Sequence, residues 1–119
     1  MSTSSAATDP LFVACLCAAW CRTCDDYRDT FDSLGREFGA QTRFLWVDIE
    51  DDEAALGAVD VVDFPTLLIA REQEINFFGP VTPHAQTARQ LVQRALQGQL
   101  GTVADAALAG LPTRLRAAR

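Results

Sequence analysis

The sequence predicts an α/β domain in which a mixed four-stranded sheet is covered by helices on both faces. Hydrophobic periodicity gives the order strand, helix, strand, helix, strand, strand, helix. The alternation of the first five elements implies parallel strands joined by right-handed crossovers, and the final strand pair adds an antiparallel edge strand. A length of 119 residues fits a single domain that can bury a core without disulfides.

The first strand and the first helix enclose the most informative segment of the chain. The run from Leu11 to Ala18 is short and carries no charge, which is typical of a strand buried on both faces. The segment 25–38 places aromatic and aliphatic residues at helical spacing, and Gly39 follows where helices often end. The intervening sequence Trp20-Cys21-Arg22-Thr23-Cys24 therefore lies at a strand-to-helix junction.

The remaining elements follow from local pattern and from turn residues. Aromatic and branched residues predict a second strand over 42–49, and the acidic cluster 50–53 then begins a short helix that ends near Val59. A third strand over 67–70 and a return strand over 75–78 form a hairpin. Thr82 and Pro83 predict the N-cap and first position of a helix that Gly98 closes.

The last segment predicts a partly helical extension over residues 98–119. Thr102 and Asp105 form a possible capping pair before an alanine-rich helix, and Gly110 and Pro112 follow. The apolar residues of this extension can dock on the body of the protein or on a partner; they are Val103, Leu108 and Leu111.

Composition and charge exclude several classes of protein. Hydrophobic residues make up 49% and charged residues 22% of the chain, which argues against disorder and against a membrane protein. The net charge is −6 and is concentrated in residues 1–88, so nucleic acid is disfavoured as a partner. Residues 1–10 are polar and contain no basic residue, so we expect a flexible N-terminus and a cytoplasmic location, where cysteines are seldom structural disulfides.

The two cysteines of the junction have a spacing suited to chemistry. Residues i and i+3 lie on one face of a helical turn, so Cys21 and Cys24 can form a disulfide that opens and closes. Unpaired amides and the helix dipole favour negative charge at the first of them. The same spacing also suits metal ligation, so the context of the motif has to decide.

The context resembles the thioredoxin family over residues 11–97. Trp20-Cys21-Arg22-Thr23-Cys24, a later Phe64-Pro65-Thr66, the hairpin and Gly79 carry the resemblance. It implies a thioredoxin-like three-layer sandwich that lacks much of the usual N-terminal strand and helix. It also implies a substrate-binding surface in which Pro65 is a cis-proline beside Cys21, Trp20 and Phe64 flank the disulfide, and Gly79 leaves room for a substrate chain.

The resemblance further implies a protein disulfide oxidoreductase that serves cell redox homeostasis without cofactor or metal. Cys21 attacks a disulfide of a protein substrate, Cys24 resolves the mixed disulfide, and an electron donor such as a thioredoxin reductase restores the dithiol. Five residues are expected to tune this chemistry. Arg22 and Thr23 replace the common Gly-Pro pair, Asp25 and Asp26 repel a thiolate on Cys24, and Cys15 stands where thioredoxins usually bury an acid.

Alternatives remain for the other cysteines and for the function. Cys15 and Cys17 share one strand face and are expected to be small core residues. The sharper interpretations place them beneath Cys24, as a second redox relay or as part of a four-thiolate zinc site. His84 is expected on the surface. The rival function is a non-enzymatic interaction or redox-sensing module in which the C-terminal extension docks a partner.

Overall fold

The computed structural model describes residues 10–118, so the predicted flexible N-terminus lies outside the described residues except for Pro10. These residues form four strands and four α-helices, with short 3-10 turns at Gly39–Gln41 and Ala106–Leu108. The elements are β1 Leu11–Cys17, α1 Arg22–Phe38, β2 Thr42–Asp48, α2 Glu53–Leu56, β3 Thr66–Arg71, β4 Glu74–Pro80, α3 Ala85–Leu96 and α4 Leu111–Ala117. None of the helices in this part of the chain is long and apolar enough to cross a membrane.

The sheet has the order β2-β1-β3-β4, with β1 in the centre. All seven residues of β1 are fully buried, as its lack of charge predicted. β1 pairs in parallel with β2 and antiparallel with β3, and β3 and β4 form the predicted hairpin. The mixed four-stranded sheet with helices on both faces is confirmed.

The direction of β3 corrects the expectation of three parallel strands. β3 runs antiparallel to β1, with Leu16 opposite Thr66. The helix α2 has only four residues and ends before Gly57, which has a positive φ of 60°. Such a helix rises about 6 Å, whereas a seven-residue strand spans about 23 Å. The connection therefore does not return to the far end of the sheet, and β3 begins near the end where β2 stops.

Alternate residues of β1 contribute to two separate hydrophobic cores. The first core lies under α1 and α3 and contains Cys15, Cys17 and the buried stripe of α1, which includes Tyr27 and Phe31. The second core lies on the opposite face under α2 and α4 and contains Phe12, Ala14 and Leu16. The period of two along a strand thus sends both β1 cysteines toward α1.

The C-terminal extension docks on the body, although its helix begins later than expected. The alanine-rich stretch forms only a 3-10 turn, and the Asp105 carboxylate caps it by accepting a hydrogen bond from the Ala107 amide at 2.9 Å. The Thr102 hydroxyl instead donates to the Glu74 carboxylate. The helix α4 starts after Gly110, whose φ is +78°.

Apolar burial and one arginine attach α4 to the second core. Leu108, Leu111 and Leu115 are buried there, whereas Val103 remains 37% exposed. The Arg114 guanidinium donates to the Ala55 carbonyl oxygen at 2.7 Å and so binds the last turn of α2. Docking on the body is therefore the correct alternative for this segment.

The start of α3 also differs from the expectation. His84, not Thr82, is the N-cap, and Pro83 lies outside the helix. The Thr82 and Thr87 hydroxyls bond to each other at 2.6 Å, so the Thr82 side chain is engaged with a side chain of the first turn. His84 is exposed, as expected.

Candidate redox site

The site forms where β1 ends and α1 begins. Cys21 is the N-cap of α1, and its amide donates to the Ala18 carbonyl oxygen at 3.1 Å, which closes a tight turn after the strand. Cys21 is partly exposed and is a free thiol. Cys24 lies one turn into the helix and is only 1% exposed. The motif therefore presents one partly accessible cysteine and one covered cysteine.

The covered sulfur has a partner that differs from the expected one. Cys24 forms a disulfide with Cys17, at a Cα–Cα distance of 5.8 Å, which is well within the range for disulfides. The side chain of Cys24 belongs to the first core, where the last residue of β1 also points. Cys17 is consequently not an inert core residue, and the Cys21–Cys24 pair is not the one that is bonded in this structure.

Cys15 lies beside this disulfide. Its Sγ atom is 3.7 Å from the Sγ atom of Cys17, and the side chain is fully buried. Burial raises the pKa of the Cys15 thiol far above its usual value, so Cys15 is neutral at physiological pH. A neutral thiol does not reproduce the negative charge of the acid that the resemblance places at this position.

The arrangement of the four cysteines differs from what a four-thiolate zinc site requires. A four-thiolate site requires all four cysteines as thiolates, whereas Cys17 and Cys24 are bonded to each other here. Within residues 10–118, no group of three or more His, Cys, Asp or Glu side chains is arranged to hold a metal ion.

An apolar surface flanks the exposed thiol. Trp20 is 67% exposed and contacts Phe64 edge to face, with ring centroids 5.4 Å apart. Phe64 and Cys21 both pack against the first core. Val62, close by along the chain, is 78% exposed. An exposed aromatic side chain packed on a second ring beside a free thiol is typical of a docking surface for another molecule.

The predicted proline and glycine lie next to this surface. The Phe64–Pro65 peptide bond is cis, the configuration that the resemblance implied. Pro65 precedes Thr66, which pairs with Leu16, so the proline lies at the same end of the sheet as Cys17. Gly79 pairs with Leu67, and a Cβ atom built on it would meet only the ring of Phe77, at 3.7 Å. The glycine therefore leaves open space beside the start of β3.

The four predicted tuning residues of α1 are all exposed to solvent: Arg22, Thr23, Asp25 and Asp26. Asp25 lies in the first turn of the helix, where a carboxylate is favourable. Since these charges lie in water and Cys24 is buried, solvent screens their effect on Cys24. The sequence named Cys17 only as an alternative, placed with Cys15 beneath Cys24, and the bond between Cys17 and Cys24 agrees with that placement.

Comparisons with known proteins agree with this geometry. The Thioredoxin family model matches residues 4–94. The thioredoxin of Bacillus subtilis (strain 168) is 24% identical over 74 residues, which cover 62% of this chain and 71% of that protein.

Two solved structures show the same fold at low identity. The germline-specific thioredoxin Deadhead of Drosophila melanogaster has a TM-score of 0.66 and 22% identity, over 76% of this chain and 85% of its own. A chain from a complex of ferredoxin:thioredoxin reductase and thioredoxin f2 has a TM-score of 0.64 and 16% identity, over 76% of this chain and 82% of its own. With the family model matched across most of its length, this chain belongs to the thioredoxin family of thiol–disulfide redox proteins.

Proposed function

We propose that this protein is an oxidoreductase that reduces disulfides in protein substrates with Cys21 as the attacking residue. The observation that carries the proposal is a partly exposed free thiol at the N-cap of α1, one helical turn before a buried cysteine. The N-cap position of Cys21 lies at the end of α1 where the unpaired amides and the positive end of the helix dipole are found. A thiolate, not a thiol, is the nucleophile in disulfide exchange.

The reaction consists of two exchange steps that conserve atoms and electrons. The Cys21 thiolate attacks one sulfur of the substrate disulfide, so a mixed disulfide forms and the other substrate sulfur leaves as a thiolate. The Cys24 thiolate then attacks the Sγ atom of Cys21 and releases the second substrate sulfur. Two electrons pass to the substrate, and a Cys21–Cys24 disulfide remains. Turnover requires Cys24 as a free thiol, so the Cys17–Cys24 disulfide must first be opened.

The flanking surface supports a protein substrate. Trp20, Val62 and Phe64 offer apolar contact area, while the open space at Gly79 and the neighbouring Pro65 suit an extended substrate chain. We assign substrate docking to this surface and tuning of the reduction potential to Arg22 and Thr23.

The electron donor is proposed to be a reductase of the kind that reduces thioredoxins. A structurally similar chain occurs in a complex of ferredoxin:thioredoxin reductase and thioredoxin f2, which supports a redox partner of this class. With that donor the protein would contribute to cell redox homeostasis in the reducing cytoplasm.

An insulin reduction assay with excess dithiothreitol tests the proposal. Cys21→Ser should abolish turnover above the dithiothreitol background. Reduced Cys24→Ser, incubated with insulin after the dithiothreitol is removed, should accumulate mixed disulfides that appear on a non-reducing gel. Ser33→Ala, at an exposed position of the same helix, is the control and should retain the wild-type rate. A wild-type rate in Cys21→Ser would disprove the assignment.

A redox-sensing module is the second candidate, and one observation favours it. The Cys17–Cys24 disulfide occupies the resolving cysteine, so this state of the protein is unable to complete a reductase cycle. If the fully reduced protein fails to reduce insulin although Cys17 and Cys24 still open and close their bond, sensing is the function.

A further inference from the structure

We propose that Cys17 is a third redox-active cysteine, which competes with Cys21 for Cys24 and transfers the disulfide from the surface into the core. This inference rests on the proposed function, because it concerns the fate of the Cys21–Cys24 disulfide that each reductase cycle leaves behind. The observation that carries it is that buried Cys24 is bonded to Cys17 of β1, whereas Cys21, one helical turn before Cys24, is a free thiol.

The geometry places Cys24 between two possible partners. Cys17 ends β1 and is bonded to Cys24, and both side chains are buried, at 0% and 1% exposure. Cys21 lies one turn before Cys24 in the chain and is partly exposed. Residues three apart at the start of a helix lie on the same face, so Cys21 and Cys24 share one face of α1. Cys24 thus has one neighbouring cysteine on its own helix and one at the end of β1.

The transfer is an internal exchange without net oxidation. The Cys17 thiolate attacks the Sγ atom of Cys24, the Cys21–Cys24 bond breaks, the Cys17–Cys24 bond forms, and Cys21 leaves as a thiolate. The proton lost by Cys17 is balanced by protonation of Cys21, which solvent can reach. The step needs no external oxidant, because the substrate has already supplied the oxidising equivalent.

The transferred disulfide changes what Cys21 can do. With Cys24 bonded to Cys17, Cys21 can still attack a substrate disulfide, but no resolving thiol completes the reaction. The product is then a persistent mixed disulfide instead of a reduced substrate. Because a large reductant cannot contact the buried bond, reactivation proceeds through attack by Cys21 on Cys24, which returns the disulfide to the surface.

Disulfide mapping of the full chain tests this transfer directly. Reduced protein is oxidised with glutathione disulfide, blocked with N-ethylmaleimide at successive times, cleaved by trypsin and analysed by tandem mass spectrometry. Cleavage after Arg22 separates Cys24 from the other three cysteines, and fragmentation then identifies its partner. We expect Cys21–Cys24 at early times, followed by Cys17–Cys24 with Cys21 alkylated.

Two substitutions on the same strand face sharpen the test. Oxidation of the Cys17→Ala protein should stop at the Cys21–Cys24 disulfide. Cys17→Ser provides a second variant if the alanine protein fails to fold. Cys15→Ala is the matched control, since Cys15 is equally buried and next to Cys17 but is not bonded to Cys24. The control should still form Cys17–Cys24.

The outcomes separate this inference from the proposed function. Wild-type protein that reduces insulin but contains only Cys21–Cys24 at all times would overturn the role of Cys17 and leave the reductase intact. The expected order of disulfides in a protein that never reduces insulin would support the transfer and overturn the reductase. After full oxidation, Cys17→Ala should regain activity faster than the wild type, since its disulfide remains at the surface.

Discussion

Cys24 is bonded to Cys17 in the buried core, and the thiol that precedes Cys24 by one helical turn is left free at the surface. The structure therefore represents an oxidised protein that still has a nucleophile. Four cysteines occupy three kinds of environment: an exposed helix start, a buried disulfide and a buried free thiol. These environments predict different reactivities.

Alkylation of the native oxidised protein should modify Cys21 and leave Cys15 untouched. Cys15 is fully buried, and burial raises the pKa of its thiol, so it offers neither access nor thiolate at pH 8. Iodoacetamide labelling followed by mass spectrometry should find one modified cysteine per native molecule. Addition of a denaturant should expose Cys15 and raise the count to two. Labelling of Cys15 without denaturant would contradict the buried position.

Replacing Trp20 with alanine should impair docking of protein substrates more than chemistry. Trp20 is 67% exposed and contacts Phe64, so its loss removes apolar contact area from the surface beside Cys21. We expect a higher KM for insulin, an unchanged rate with a small disulfide reagent, and a stability change within about 0.5 kcal/mol. Val103→Ala, an exposed apolar position on the C-terminal extension, should change neither rate. Equal losses with both substrates would place Trp20 in the chemical step instead.

Replacing Leu111 with alanine should destabilise the protein by about 2–5 kcal/mol, because the side chain is fully buried in the second core. Urea unfolding followed by circular dichroism measures the difference, with Val103→Ala as the control. A loss below about 1 kcal/mol would indicate that α4 contributes little to the domain.

Tyr27 should govern part of the alkaline stability. Its pKa is raised by burial and, second, by the neighbouring Cys15, so the folded state keeps its proton at a pH where the unfolded chain loses it. The free energy of unfolding should therefore fall as the pH rises above about 10, the ordinary tyrosine value. Tyr27→Phe should reduce this decline.

The same variant should also be more stable at neutral pH, because the Tyr27 hydroxyl is buried and has no hydrogen-bond partner among the described residues. Removal of an unpaired buried hydroxyl should stabilise by about 1 kcal/mol. Urea unfolding at pH 7 and pH 10.5 measures both effects. Parallel pH profiles for Tyr27→Phe and the wild type would refute the titration argument.

Local pattern predicted the elements well because their signals are local. The uncharged run of β1 and the apolar stripe of α1, with Tyr27 and Phe31, follow from periods of two and 3.6 residues within a short window. The predicted direction of β3 was wrong, because the direction depends on how far the connection after β2 extends along the sheet.

Local pattern offered Cys17 as one neighbour of Cys24 but did not settle which cysteine bonds to it. Spacing indicates that Cys21 and Cys24 share a helical face, but it does not reveal which strand residue that face contacts. The contact between Cys17 and Cys24 depends on how α1 crosses the end of β1, which is a tertiary property. Likewise, Thr82 and Thr102 have the chemistry of capping residues, but the Thr82 hydroxyl bonds to Thr87 and the Thr102 hydroxyl to Glu74. The Asp105 carboxylate caps the 3-10 turn instead.

The position of α4 affects how the chain reaches its native state during synthesis. The apolar face of the sheet around Phe12 and Leu16 is fully buried only after Leu111 and Leu115 have left the ribosome. Until then a nascent chain exposes that side to chaperones and to other unfinished chains. A premature stop before residue 111 should therefore give an aggregation-prone product, even though every cysteine has already been made.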